Sequence, residues 1–243
     1  MIRLDRLLVS LSVGSRTEVQ RLIRSGKVFA DGVCVTDPAA QVAPPVSLAV
    51  NGQAIDSRTQ RHILLNKPAG ILTAARDRKQ PTVMDLLPEA LATLGCMPVG
   101  RLDKDTTGLL FFTTDGELNH RLLSPGRHVD KTYYAEVDGP LGPEAVEAFA
   151  RGIPLEDFTA APAELCVLSS DPAASAARVT VREGKFHQVK RMFEAVGLTV
   201  TRLHRERFGP LVLPDDLPEG AWRDATEEEL TALRRCVRLE GCP

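Results

Sequence analysis

GRLDKDTTGLLFFTTDGEL, residues 100–118, passes from a polar segment bounded by Gly100 and Gly108 into an apolar run and then into a helix start. The run GLLFFTT (108–114) has the length and residue types of a buried strand. Thr114, followed three residues later by Glu117, predicts a capping box that opens a helix over 115–123. Asp103 and Asp105 are thereby placed on a loop at the end of a rigid strand, where catalytic groups concentrate. An aspartate in such a loop also serves simply to bond nearby backbone amides. Taken alone, the stretch does not decide between the two.

Working outward, strands are predicted at 62–66, 131–137, 177–181 and 198–204, and helices at 143–151, 188–196 and 226–238, the last with Thr226 and Glu229 as a second capping box. The helices are too few to cover every strand in parallel crossover units, so the expectation is an α+β fold with a mixed, largely antiparallel sheet flanked by helices. Upstream, Leu4, Leu7, Leu8 and Leu11 form one helical stripe, and Ser15 with Glu18 caps a second helix that ends at Gly26. Asp31-Gly32 and Asn51-Gly52 are tight-turn signals between short strands. The polar, aperiodic DSRTQR (56–61) reads as a linker. A small domain over 1–58, a larger one over 59–238 and a tail over 239–243 follow.

The chain has 243 residues, 26% of them charged, and a net charge of −2. Its distribution says more than its sum: residues 1–30 carry +4, residues 181–207 carry +4, and residues 215–229 carry −6. Two basic patches suit a polyanion partner. Arg16, Arg21, Arg24 and Lys27 lie mainly on the outer side of the second helix, a compact means of gripping folded RNA by its phosphates. The five cysteines are scattered with no CxxC spacing, the five histidines form no HExxH-like pair, and no glycine-rich nucleotide fingerprint occurs. No metal and no cofactor are expected. Charges where a signal peptide has its apolar stretch, and the lack of a long apolar run, give the expectation of a cytoplasmic protein without membrane association. With no association stripe in view, a monomer is expected.

Residues 3–35 resemble the alpha-L RNA-binding module of a ribosomal small-subunit protein. GRLDKDTTGLL closely resembles the signature of the ribosomal RNA pseudouridine synthases, and further stretches match in order: NKPAG (66–70), DKTYYAEV (130–137), EGKFHQVKRMFEAVG (183–197) and LHRERFGPLVL (203–213). The resemblance implies a pseudouridine synthase catalytic domain with Asp103 as catalytic carboxylate, Lys190 as the cation beside it, and Tyr133 stacking on the target base. It implies for Arg101 a role in filling the gap left by the extruded base or in binding phosphate; Arg191 is the nearby alternative to Lys190, and otherwise a phosphate contact. Tyr134, on the opposite face by strand alternation, is the better core candidate. Asp105 and Thr106 are expected to shape the loop, and Asn66, Lys67 and His187 to be site-wall or RNA contacts.

Cofactor-free isomerisation fits the absent motifs, since uridine must lose its glycosidic bond, turn its base and rejoin through carbon 5 without redox change or hydrolysis. The carboxylate adds to C1′ as a nucleophile or removes a ribose proton, and the sequence leaves both open. Within the family the resemblance is to the small-subunit branch, which implies uridine 516 of 16S rRNA. The near-neutral charge points to a partly assembled small-subunit particle as substrate, with ribosomal proteins sharing the recognition. Two other readings compete. Synthases acting on 23S rRNA often have Asn, Ser or Gln near 105–107 and Arg-Gln-Ile-Arg-Arg in the third motif, unlike this chain. A non-enzymatic assembly factor is opposed by the presence together of Asp103, Tyr133 and Lys190.

Overall fold

The computed structural model describes residues 1–239, so the tail expected over 239–243 lies, beyond Leu239, outside the described residues. The chain divides into two compact units, residues 1–61 with 87–97, and residues 62–86 with those from 98 on.

In the first unit, helices Leu4–Ser10 and Arg16–Arg24 pack against an antiparallel sheet of Val33–Cys34, Val28–Ala30, Leu48–Val50 and Gln53–Ile55. The leucine stripe is fully used: Leu4, Leu7 and Leu8 are inaccessible and pack with Val19, Ile23 and Val28. The Ser15–Glu18 capping box is present in both directions. Asp31-Gly32 and Asn51-Gly52 all take positive φ, as tight hairpin turns of this kind require. The stretch 56–61 is not the free linker expected. Ser57 is buried and its Oγ both accepts from Val46 N and donates to Val46 O, while Arg61 pairs with Asp56. A polar residue inside a backbone exchange of this kind has no periodicity to betray it. Residues 87–97 also fold with this unit: Thr93 Oγ1 lies 2.9 Å from Ser12 Oγ, and Leu94 packs on the leucine core.

The second unit is built on a sheet whose path runs Glu164–Ser169, Ser175–Val181, Lys131–Val137, Val200–Phe208, Thr107–Thr113, His62–Lys67, Trp222–Asp224. Neighbours on this path are antiparallel except Val200–Phe208 against Thr107–Thr113, so the α+β, mixed but largely antiparallel expectation holds. Every residue of Thr107–Thr113 is buried. Leu109 and Phe111 join Leu118, Leu122, Phe208 and the helix residues Leu230 and Leu233 in one apolar layer. Truncating a ring as enclosed as Phe111 costs about 3–5 kcal/mol. Helices Pro143–Arg151 and Gln188–Ala195 meet through Phe149 and Phe193, with ring centroids 4.9 Å apart. The helix at Gly116–Leu123 is capped by Asp115, which accepts from Leu118 N, and not by Thr114 as expected. Thr113 is still in the strand, paired with His62, and its Oγ1 receives Asp115 N, which moves the cap one residue along. No helix among the described residues is long and apolar enough to cross a membrane.

Candidate active site

The loop Gly100–Thr106 enters the central strand under three restraints. Thr73 Oγ1 donates to Leu102 O at 2.8 Å and accepts from Leu102 N at 3.2 Å. Gly70 N donates to Lys104 O. Beneath the loop lies Lys67, wholly inaccessible, whose Nζ reaches the carbonyls of Pro68, Asp103, Lys104 and Thr106 at 3.0–3.2 Å. Three hydrogens shared among four carbonyls hold the turn from below, so Lys67 is no RNA contact. Burial brings its pKa down to about 8, with Asp105 and Asp103 opposing that shift.

Where the loop joins the strand, Gly108 takes φ +101° and faces Arg205 across the parallel pairing. A Cβ here would sit 2.4 Å from Arg205 O, so only glycine admits this approach. The strand Lys131–Val137 then alternates Lys131, Tyr133 and Ala135 toward one face, and Tyr133 stands between Val179 and Arg205 of its neighbours.

These elements enclose a cleft of about 450 Å³, within the size range of small-molecule sites. Asp103, Arg101, Tyr133, Lys190 and His187 all line it, with Lys131, Arg205, Arg182 and Lys185, and apolar wall is supplied by Leu102, Val181, Val189 and Leu203. Tyr133 is 8% exposed, whereas Tyr134 is half-buried and gives its hydroxyl to Glu136. The tyrosine expected in the core is thus the outer one, because the cleft side of the strand is the more enclosed. Lys190 Nζ stands 3.8 Å from Asp103 Oδ2, but its hydrogen bonds go to both oxygens of Asp105, at 2.6 and 2.7 Å. That bond holds the Asp105 carboxyl below its ordinary range. His187 Nε2 lies 3.6 Å from Asp103 Oδ1, and the His187 ring stacks on the exposed Phe186.

Gln188 fixes the segment before the helix: its Oε1 accepts from Lys185 N and its Nε2 donates to Glu183 Oε2. Arg191 lies outside the cleft lining, paired with Asp157 and packed over Phe158. Arg16, Arg21, Arg24 and Lys27 are exposed on the first unit. The sequence motifs do not single out Lys131, Arg205 or Gln188. The available signal is parity, since Lys131 shares the inward register of Tyr133, and Arg205 that of Leu203. The described residues hold no group of three or more His, Cys, Asp or Glu side chains arranged to take a metal ion.

Chemically, the cleft presents the Asp103 carboxylate at the end of a pinned loop, a second carboxylate at Glu183, an aromatic ring, and an excess of cations around apolar wall. Residues 61–195 match the family model described as RNA pseudouridylate synthase, and residues 2–44 match the S4 domain. The chain is 40% identical to the ribosomal small subunit pseudouridine synthase A of Pseudomonas aeruginosa, covering 96% of this chain and all of that one. It is 39% identical to an uncharacterized RNA pseudouridine synthase of Bacillus subtilis, over 96% and 98% of the two chains. A crystal structure of a pseudouridylate synthase superposes with a TM-score of 0.67 at 33% identity, covering 96% of this chain and all of the other.

Proposed function

The chain belongs to the RNA pseudouridylate synthase family and carries an S4 domain at its N-terminus, and from that premise we propose that it converts uridine 516 of 16S rRNA to pseudouridine, with Asp103 as the catalytic carboxylate. The observation that carries this reading is Asp103 on a loop held by buried backbone contacts, in one cleft with Tyr133 and Lys190. The likeness over nearly the whole chain to relatives named for the small ribosomal subunit supports 16S over 23S rRNA.

In this scheme the S4 domain engages the rRNA fold through Arg16, Arg21, Arg24 and Lys27, and the target uridine leaves its stack to enter the cleft, at a cost of a few kcal/mol. Arg101, exposed at the cleft edge, occupies the gap or braces the backbone. Tyr133 stacks on the base, and Asp103 acts at the ribose, at C1′ or on the neighbouring proton. Lys190 offsets the cost of enclosing the Asp103 charge once RNA displaces water. The partly assembled small-subunit particle, in the cytoplasm, is the proposed substrate, and the protein acts as a monomer.

Asp103→Asn is expected to fold and bind rRNA normally and to form no pseudouridine, and full activity in it would end the assignment. Pseudouridine mapping of 16S and 23S rRNA from a strain lacking the protein tests the substrate. Loss at 16S position 516 alone is expected, whereas loss at a 23S position favours the large-subunit reading.

A further inference from the structure

One buried cation of the cleft has no acid paired with it among the described residues. Arg205 is 1% exposed; its Nε donates to Leu109 O at 2.7 Å, and its Nη2 has no hydrogen-bond partner among the described residues. Other cations around the cleft have acids: Lys190 has Asp105, Arg182 has Asp130, and Lys185 has Glu183. Lys131, which lines the same cleft, donates among the described residues to Val129 O alone. Buried donors are almost always satisfied in a native fold, and an idle one at the floor of a cleft points to a bound acceptor.

The position of the floor indicates which acceptor. A phosphate would be met by the exposed Arg101 and Arg182, whereas the buried part of the lining, where Tyr133, Leu102 and Leu203 accompany Arg205, suits the flat edge of a base. Uracil is neutral in the substrate but does not stay so. When the C1′–N1 bond breaks, its electron pair leaves with N1, and the resulting anion spreads its charge over N1, O2 and O4. This holds whether Asp103 has bonded to C1′ or has taken the ribose proton. Carbon 5 then bonds to C1′ as the Asp103 carboxylate leaves it, or as Asp103 returns the ribose proton to C2′; carbon 5 loses its proton and N1 gains one, so atoms and charge balance.

Resting on the function proposed above, we propose that Arg205, with Lys131 beside it, donates to a carbonyl oxygen of the target base and stabilises the uracil anion while it is detached. Preorganised donors aimed at developing charge in a dry site are among the largest contributions to catalysis. Lys131 adds positive charge to the same floor, and its own lowered pKa, caused by burial and then by Arg205, shows how little acid faces it, Asp130 alone opposing the shift.

The test is single-turnover consumption of the target nucleotide in partly assembled small-subunit particles built on 16S transcripts that carry either uridine or 5-fluorouridine there, fluorine making the base a better leaving group that needs less help. Arg205→Met is expected to slow uridine consumption about 100-fold, to slow 5-fluorouridine consumption much less, and to leave RNA affinity within about twofold. Arg205→Lys, which keeps a charge and a donor for Leu109 O, is expected to recover part of the rate with the same discrimination, and it stands in if the methionine variant does not fold. Equal slowing of both substrates marks a structural role and overturns the proposal, as does an undiminished rate or a loss of affinity matching the loss of rate. Wild-type protein that leaves uridine untouched fails the function itself, a result distinct from any of these.

Discussion

Lys67 shows how one side chain sets the geometry of a loop it does not belong to. Its ammonium is spent on four carbonyls, three of them in the segment carrying Asp103. Lys67→Met keeps the length and removes the donors, leaving buried acceptors unpaired, so it is expected to cost about 3 kcal/mol and to lower turnover with it. Urea unfolding and single-turnover rates check both effects. Gly108→Ala places a Cβ into Arg205 O at a φ that alanine resists, and a loss of about 4 kcal/mol or more is expected, read as a collapse of the soluble folded fraction or of Tm. Neither role is legible in sequence. NKPAG and GRLDKDTTG are both visible there, but a lysine contacting only main chain leaves no pattern in the residues it contacts. A glycine in a strand announces a close approach without naming what approaches.

Among the elements, the helix Gln188–Ala195 is legible in outline and illegible at its ends. Periodicity makes Val189, Met192, Phe193 and Val196 its apolar stripe, which leaves Lys190 on another face; the structure buries the first three and leaves Val196, at the C-cap, half-buried. The bond of Lys190 to Asp105 depends on a loop 85 residues away and on the tertiary approach that brings it there. The N-cap shows the same limit. His187 sits there in the left-handed region with no side-chain cap, while the preceding turn is held by Gln188. Gln188→Leu should therefore keep the helix, with circular dichroism unchanged, yet loosen Lys185 and His187 at the cleft. The expected result is a drop in kcat at nearly unchanged RNA affinity, and an unaffected kcat removes the positioning role. At Thr113-Thr114-Asp115 the sequence offers two caps, and strand register chooses Asp115.

At the scale of the whole molecule, removing residues 1–58 to test RNA capture would also strip the core against which Leu94 packs. Changing Arg16, Arg21, Arg24 and Lys27 to Gln spares that core. The variant is expected to bind rRNA more weakly at every salt concentration, its salt slope shallower by about 0.9 for each phosphate no longer neutralised. An unchanged slope refutes the role of that face. Buried Lys67 and half-buried Lys131 give the fold an alkaline signature. Lys67 and Lys131 have folded values of about 8, below the 10.5 of an unfolded lysine. Below pH 8 both states hold these protons and no slope arises. Between about 8 and 10.5 the unfolded chain binds protons that the folded chain does not, so this contribution to stability rises with pH. The urea-derived stability of wild type minus that of Lys131→Met is expected to grow from pH 8 to pH 10, and a flat difference disproves the depressed value. The loop over Lys67 has one more consequence. Because it is anchored through its own peptide groups, the exposed side chain at 104, which bonds outward to Gln80, lies on a fixed mould, while Asp105 beside it is committed to Lys190. Such a site can acquire new preferences for the surrounding RNA by altering residues that take no part in holding it up, which makes this turn the natural place for selection, or a designer, to retune specificity without rebuilding the enzyme.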